Sequence, residues 1–335
     1  MKKNRIIALV TVVAMMAGMV FGCGKTDSKE ESKEEPKEET KYSVVCTTFP
    51  QYDWVREILG DKKDQVELTL LLDNGVDLHS YQPTAEDVAK IAESDLFIYV
   101  GGESDTWVDD ALKEASNKNM KVVNMMEAIG DEAVEEELVE GMQGEEEEGE
   151  EGEEEEVEYD EHVWLSLKNA GKIVSEIAAD LEEIDAEHKE VYAQNAKAYE
   201  EKLSQLDKNY QETVDGAKKD TLLFGDRFPF RYMVKDYGLN YYAAFIGCSA
   251  ETEASFETVT FLAKKVDELS LTTILTIENS DQKIANTIRE NTKDKNQEIM
   301  ELNSLQSITE DELNGGTTYY SIMEQNLETL KKALN

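Results

Sequence analysis

Short apolar runs separated by amphipathic stretches set the pattern of the chain from residue 42 onward. Four runs in the first half have the length of strands, at 42–47, 66–72, 96–100 and 121–124. Between them, apolar residues recur every three or four positions, which places them on one face of a helix. Strands that alternate with helices predict a parallel sheet covered by helices on both faces.

The same alternation returns in the second half of the chain. Apolar runs of strand length occur at 221–224, 240–246, 272–277 and 297–302. Between the two halves, residues 186–214 keep a helical apolar spacing and contain no Gly or Pro. At about 1.5 Å per residue, such a helix would be about 40 Å long, more than one small domain requires. We therefore expect an α/β protein of two lobes, each a mainly parallel sheet flanked by helices, joined by one long, rigid backbone helix.

The start of the chain predicts export and attachment to a membrane. Basic residues precede an apolar stretch from 6 to 21, which is too short for a comfortable membrane span. It ends in Val20-Phe21-Gly22-Cys23, which resembles the lipobox of bacterial lipoproteins, where cleavage precedes the cysteine and its thiol carries the lipid. Residues 1–23 are predicted to be a lipoprotein signal peptide, with Cys23 as the lipidation site, and 24–41 a flexible stalk. A plain secretory signal is the alternative.

The charge of the chain excludes nucleic acid as an expected partner. The formal net charge is −40, and 19 of the 31 residues from 131 to 161 are Asp or Glu, with no Lys or Arg among them. A surface this acidic repels DNA and RNA. Residues 131–161 are predicted to form a solvated, mobile loop that attracts cations. The loop ends at His162, which is followed by residues typical of a core.

Residues able to bind a metal follow several of the predicted strands. His79 follows the second strand, Asp226 follows the first strand of the second half, and Glu278 and Asp281 follow a later one. In parallel α/β sheets ligands bind outside the carboxyl ends of the strands, so we expect these side chains to meet His162 in the cleft between the lobes. Two imidazoles with carboxylates form an ordinary zinc site, while manganese prefers mainly oxygen ligands. A structural or idle role is the alternative for each histidine.

Two segments around these histidines resemble a known family. LLDNGVDLHSYQPTAEDVAKIAESDLFIYVGG and DEHVWLSLKNA are similar to the histidine segments of the zinc and manganese solute-binding lipoproteins of ABC importers, and the resemblance extends over residues 42–335. It implies a metal held between two lobes and passed to a membrane permease that is driven by a cytoplasmic ATPase. It also implies that His79 and His162 are the first two ligands and Glu278 a carboxylate ligand, with Asp281 in reserve.

The third ligand departs from the family pattern. The family has H-x-A-F-x-Y-F, whereas this chain has Arg227-Phe228-Pro229-Phe230-Arg231-Tyr232-Met233. A guanidinium cannot coordinate a cation. We predict that Arg227 points away from the metal and pairs with an acid near the cleft, and that Asp226 supplies the third ligand. The alternatives are that Asp226 only caps the turn and that the ligand shell is incomplete.

These observations give a domain plan and an expected function. The plan is a signal peptide (1–23), a stalk (24–41), an N-terminal lobe (42–185) that contains the acidic loop (131–161), a linking helix (186–214) and a C-terminal lobe (215–335). The protein is expected to be a monomer, lipid-anchored on the extracytoplasmic face of the cell membrane, and not an enzyme. It is expected to capture Zn²⁺ as cargo and to deliver it to an ABC permease.

Several alternatives to this reading stay open. Mn²⁺ is the alternative cargo, and a surface adhesin or a metallohydrolase using the same cleft is the alternative function. The chain has no recognised hydrolase motif, which argues against an enzyme. Cys46 and Cys248 each follow a predicted strand. Two alternatives remain for them: a disulfide across the cleft, or two free buried thiols.

Overall fold

The computed structural model describes residues 41–73, 75–144, 158–249 and 253–335. The predicted signal peptide, the predicted stalk up to residue 40, Cys23 and the run 145–157 lie outside the described residues. Within the described part, the strands form two separate four-stranded parallel sheets. This arrangement confirms the predicted fold class of two α/β lobes joined by a long helix.

The sheet of the N-terminal lobe has the order β2-β1-β3-β4. Its strands are β1 (Tyr42–Cys46), β2 (Val66–Leu70), β3 (Leu96–Tyr99) and β4 (Lys121–Asn124). Every pairing is parallel, and the central strand β1 buries Val44, Val45 and Cys46 completely. Burial of neighbouring residues on both faces explains why this strand is a continuous apolar run rather than an alternating one.

Helices of the N-terminal lobe connect these strands and cover the sheet. They are α1 (Phe49–Leu59), α2 (Ala85–Glu93), α3 (Val108–Lys113), α4 (Met125–Ile129) and α5 (Leu167–Ile184). Thr84 caps the start of α2, because its side chain accepts from the N–H of Asp87 and the Asp87 carboxylate accepts from the N–H of Thr84. This reciprocal cap satisfies amide groups that the first turn of a helix leaves free.

The long helix α6 runs from Lys189 to Asp215, 27 residues or about 40 Å. One stripe of its surface is buried, and it consists of Tyr192, Ala196, Tyr199, Leu203, Leu206 and Tyr210. This stripe packs against α1 and α5 of the first lobe and against the final helix of the chain. Among the described residues, no helix combines the length and the apolar character that crossing a membrane requires.

The sheet of the C-terminal lobe has the order β6-β5-β7-β8 and is also parallel. Its strands are β5 (Thr221–Phe228), β6 (Asn240–Ile246), β7 (Thr273–Thr276) and β8 (Glu298–Glu301). Its helices are α7 (Arg231–Tyr237), α8 (Phe256–Leu269), α9 (Lys283–Asn291), α10 (Glu310–Asn314) and α11 (Tyr319–Ala333). The two sheets thus repeat one topology on either side of α6.

Strand β5 is longer than predicted. The prediction ended it at residue 224, because Gly225 and Asp226 are typical turn residues. In the structure the strand continues through Phe228, since Arg227 and Phe228 pair with β6 beyond an irregularity in the register after Phe224. Asp226 therefore lies within an irregular strand and not in a loop.

The two ends of the acidic segment also differ from the predicted mobile loop. The ends pair with each other, since the N–H of Glu136 donates to the carbonyl of Glu158 at 2.9 Å. The first end also joins the C-terminal lobe, where the N–H of Gln143 donates to the carbonyl of Ala244 at 2.9 Å. Apolar residues in this stretch, among them Val134 and Met142, pack against the core. Their burial, which the high charge of the segment masks in the sequence, orders the segment up to residue 144.

Candidate metal centre

His79 lies in a single 3-10 turn (Leu78–Ser80) beyond the carboxyl end of β2. The side chain of Asp77 begins this turn, because it accepts a hydrogen bond from the N–H of His79 at 3.0 Å. The Nδ1 atom of the imidazole lies 2.9 Å from the Oγ atom of Ser104. The turn and this contact leave Nε2 as the free nitrogen that faces into the cleft.

His162 lies where the acidic segment returns to the core, and its side chain is completely buried. The Oδ1 atom of Asp160 accepts from the N–H of His162 at 2.8 Å and lies 3.1 Å from its Nδ1 atom. The imidazole also packs in an edge-on geometry against Trp164, with ring centroids 5.3 Å apart. These contacts fix the ring and again leave Nε2 free.

The two free nitrogens face each other, with Nε2 of His79 3.1 Å from Nε2 of His162. Two nitrogens bound to one tetrahedral zinc at about 2.0–2.1 Å would be about 3.3 Å apart. The observed spacing is therefore close to the one that zinc requires. With both Nε2 atoms on a metal, each Nδ1 carries the proton and donates it, from His79 to Ser104 and from His162 to Asp160.

Burial lowers the pKa of both imidazoles. For His79 the further causes are the proximity of His162 and the positive charge of Arg227, and for His162 Arg227 acts in the same direction. Both rings are consequently neutral at pH 7, which is the form that binds a metal.

Asp160 supports His162 in either of its protonation states. Burial raises the pKa of its carboxyl to about 8, although the N–H of His162 and the charge of Arg231 favour the ionised form. The Oδ1 atom accepts from His162 whether or not Oδ2 carries a proton. The orientation of the imidazole therefore does not depend on the charge of Asp160.

Cys248 is a third potential ligand at this site, and it was not predicted from the sequence. Among the residues that the structure describes, His79, His162 and Cys248 form a group whose ligand atoms all lie within 4.8 Å of one another. Cys248 follows the carboxyl end of β6, so the rule that located His79 also applies to it. Burial raises the pKa of its thiol well above the ordinary value.

The disulfide alternative for Cys46 and Cys248 is wrong, because both thiols are free. Cys46 is completely buried within β1, between β2 and β3. The sulfur of Cys248 instead lies beside the two imidazoles. Two cysteines that each follow a strand thus sit in different environments, one in the core of a sheet and one at the metal centre.

Asp226 lies in the wall of the cleft but not in this group of three. The cleft holds a cavity of about 470 Å³ whose lining includes His79, Asp226, Arg227 and Glu278. The carboxylate of Asp226 accepts from the hydroxyl of Ser280 at 2.6 Å and from the N–H of Arg227 at 3.0 Å. Burial raises its pKa. Its role as a ligand stays a prediction.

Glu278 is buried in the same wall, and its carboxylate is surrounded by donors. It accepts from the N–H of Ser304 at 2.7 Å, from the hydroxyl of Ser304 and from the N–H of Gln306 at 3.0 Å. Burial raises its pKa against the effect of these hydrogen bonds. Asp281, the reserve candidate, lines the cavity and pairs with Lys283. The roles of both acids as ligands also stay predictions.

Arg227 forms an ion pair with Asp77, which belongs to the loop that carries His79. Its guanidinium also donates to the carbonyl of Ser249 at 3.3 Å. The predicted pairing of Arg227 with an acid of the cleft is confirmed. The pair links β5 of one lobe to the loop after β2 of the other.

Two parallel α/β lobes around a pair of facing imidazoles, of which that of His162 is fully buried, define a metal-binding protein of the two-lobed type. The family comparison places it further. The family described as "ZnuA: Zinc-uptake complex component A periplasmic" matches residues 44–333. The chain belongs to this family.

Individual relatives agree with this assignment. The chain is 33% identical over 324 residues to the high-affinity zinc uptake system protein ZnuA of Bacillus subtilis (strain 168), covering 96% of both chains. It is 34% identical over 292 residues to the zinc-binding lipoprotein AdcA of Streptococcus pneumoniae, covering 87% of this chain and 56% of AdcA. The chain thus spans little more than half the length of AdcA.

Solved structures show the same fold. The crystal structure of the Zn(II)-bound ZnuA-like domain of Streptococcus pneumoniae AdcA superposes with a TM-score of 0.68 at 32% identity, covering 88% of this chain and 99% of that domain. The metal-dependent lipoprotein YcdH of Bacillus subtilis superposes with a TM-score of 0.70 at 30% identity, covering 88% of this chain and 99% of YcdH.

Proposed function

We propose that the protein is an extracytoplasmic, lipid-anchored binding protein that captures Zn²⁺ between its lobes and delivers it to an ABC permease with a cytoplasmic ATPase. The observation that carries this proposal is the 3.1 Å separation of the two Nε2 atoms in a partly buried region of the cleft. The protein is proposed to bind and release its cargo without chemical conversion of it.

Zinc is the proposed cargo, for reasons that come from the ligands. Both imidazoles are neutral at pH 7 and present nitrogen, which suits zinc, whereas manganese favours sites made mainly of carboxylate, carbonyl and water oxygen. The names of the relatives support the same metal, since AdcA is described as a zinc-binding lipoprotein. Mn²⁺ is the alternative cargo if the carboxylates of Asp226 and Glu278 both bind the metal.

The domain plan and the membrane anchor belong to this proposal. Cleavage before Cys23 and lipidation of its thiol would hold the protein at the cell membrane, with residues 24–41 as a stalk. The lobes are proposed to be residues 42–185 and 215–335, with 186–214 as the linking helix. A protein held in this way stays near the permease that receives its cargo, and it functions as a monomer.

The two histidines provide the test. His79→Ala and His162→Ala should each weaken zinc binding at least about tenfold, or about 1.4 kcal/mol, because each removes a nitrogen ligand. His188→Ala is the matched control, since the imidazole of His188 contacts Asp185 at the start of α6 and does not line the cleft. Zinc affinity is measured by competition with a fluorescent chelator, and circular dichroism checks the fold.

The zinc affinities of the three variants test the proposed site. Zinc binding that is equal in His79→Ala, His162→Ala and His188→Ala would place the metal elsewhere and overturn the proposed site. Zinc uptake by cells that lack the gene then tests delivery. Wild-type protein and His188→Ala should restore uptake, and His79→Ala should not.

A further inference from the structure

We propose that the sulfur of Cys248 is the third protein ligand of the zinc ion, in place of the imidazole that the family has at the position of Arg227. This inference rests on the proposed function, because it concerns the same site. It differs from the prediction of the third ligand made from the sequence, which was Asp226.

The position of the sulfur supports this assignment. The ligand atoms of Cys248, His79 and His162 lie within 4.8 Å of one another. In a tetrahedral site with zinc–sulfur bonds of about 2.3 Å and zinc–nitrogen bonds of about 2.0–2.1 Å, sulfur and nitrogen are about 3.6 Å apart. The sulfur therefore has to come closer to each nitrogen by at most about 1.2 Å to reach this spacing.

The backbone before Cys248 holds this residue against the imidazole. A Cβ atom on Gly247 would lie 3.1 Å from Cε1 of His162 and 3.0 Å from the carbonyl oxygen of Phe228. Only a glycine allows the chain to pass this close to the ring without displacing a neighbour. The approach of β6 to His162 is thus a feature of the packing and does not depend on the cysteine side chain alone.

The other candidates for the third ligand are held by strong hydrogen bonds. Arg227 is paired with Asp77 and cannot coordinate a cation. Asp226 accepts from Ser280 at 2.6 Å, and metal binding would have to break or share that bond. The thiol of Cys248 is a weak hydrogen-bond donor, so a metal can displace its partner more easily than it can displace those of Asp226 or Arg227.

Zinc binding replaces the S–H bond by a zinc–sulfur bond. The proton released from the thiol passes to water. No electrons are transferred in this step.

A sulfur ligand also gives the site two properties that the histidines alone do not. His79 and His162 both belong to the N-terminal lobe, whereas Cys248 follows β6 of the C-terminal lobe. The metal would therefore connect the two lobes directly. Thiolate is a soft ligand that binds zinc well and manganese poorly, so Cys248 would also determine the choice of metal.

X-ray absorption at the zinc edge tests the proposal on the full-length protein carrying one zinc ion after desalting. We expect one sulfur neighbour at about 2.3 Å with nitrogen and oxygen neighbours at about 2.0–2.1 Å. Cys248→Ser should lose the sulfur neighbour and bind zinc at least about tenfold more weakly. Cys46→Ala is the matched control, because Cys46 is a free thiol inside β1, and it should keep the sulfur neighbour.

Two results would overturn the proposal and leave the proposed function standing. One is a wild-type protein whose zinc binding depends on His79 but whose zinc ion has no sulfur neighbour. The other is a loss of affinity in Asp226→Asn with none in Cys248→Ser, which assigns the third ligand to Asp226. Failure of the wild type to retain a zinc ion after desalting would instead overturn the proposed function.

Discussion

Removing one hydroxyl group next to the metal centre should measure how strongly the protein orients His79. Ser104→Ala deletes the Oγ atom that lies 2.9 Å from Nδ1 of His79. With zinc on Nε2, the Nδ1–H group needs an acceptor, and Ser104 supplies it. Without this acceptor the ring can rotate, and its Nε2 atom no longer stays aimed at Nε2 of His162.

The expected size of the effect follows from this geometry. Loss of a partner that hydrogen-bonds a metal-bound histidine typically costs about 10- to 100-fold in affinity, which is about 1.4–2.7 kcal/mol. We expect the lower part of this range, because a neutral hydroxyl binds the N–H less strongly than a carboxylate does. The loop itself should keep its shape, since the N–H of Ser104 still donates to Glu161 at 2.7 Å.

Competition titration with a fluorescent zinc chelator, at fixed pH and ionic strength, gives the affinity. Ser175→Ala is the control, because it removes a serine hydroxyl on α5 that donates to Glu200 and lies outside the cleft. Equal affinities for Ser104→Ala and Ser175→Ala would refute the role of Ser104 in orienting His79.

The remaining predictions concern stability. Burial raises the pKa of Asp53 from 3.8 to about 6. The buried, protonated carboxyl therefore contributes to the stability of the folded state below about pH 4, and this contribution is lost as the pH rises through 6. The Asn side chain of Asp53→Asn stays neutral and still accepts from the N–H of Tyr319. The stability of this variant relative to the wild type should therefore rise by about 2–3 kcal/mol between pH 4 and pH 7. Urea unfolding at both pH values measures the difference in stability, and a difference that does not change with pH would contradict the prediction. Gly225→Ala should destabilise the protein by about 1–3 kcal/mol or more, because a Cβ atom there would lie 2.5 Å from Cα of Ala285 in α9. Unfolding of Gly225→Ala at the wild-type urea midpoint would show that β5 and α9 can separate at little cost.

The sequence was sufficient to predict the two sheets and the positions of the two histidines. Apolar runs located the strands because residues buried on both faces leave a continuous signal, and His79 could be placed because parallel strands end at one edge. Neither conclusion needs knowledge of a contact that is distant in the sequence.

The features that the sequence did not predict all depend on distant contacts. β5 extends past Asp226 because of its pairing with β6, which overrides the turn preference of Gly225 and Asp226. Cys248 was not predicted to be a candidate ligand, although it follows a strand as His79 does, because nothing local shows that the end of β6 approaches His162. The order of residues 131–144 depends on pairing with Ala244, which the charge of this segment does not indicate.

Anomalous diffraction at the zinc edge, from crystals of the protein loaded with one zinc ion, shows directly whether the two histidines bind the metal. We predict a single strong peak in the cleft, about 2.0–2.1 Å from Nε2 of His79 and from Nε2 of His162. A peak at any other place in the protein, or none near these two nitrogens, would contradict it.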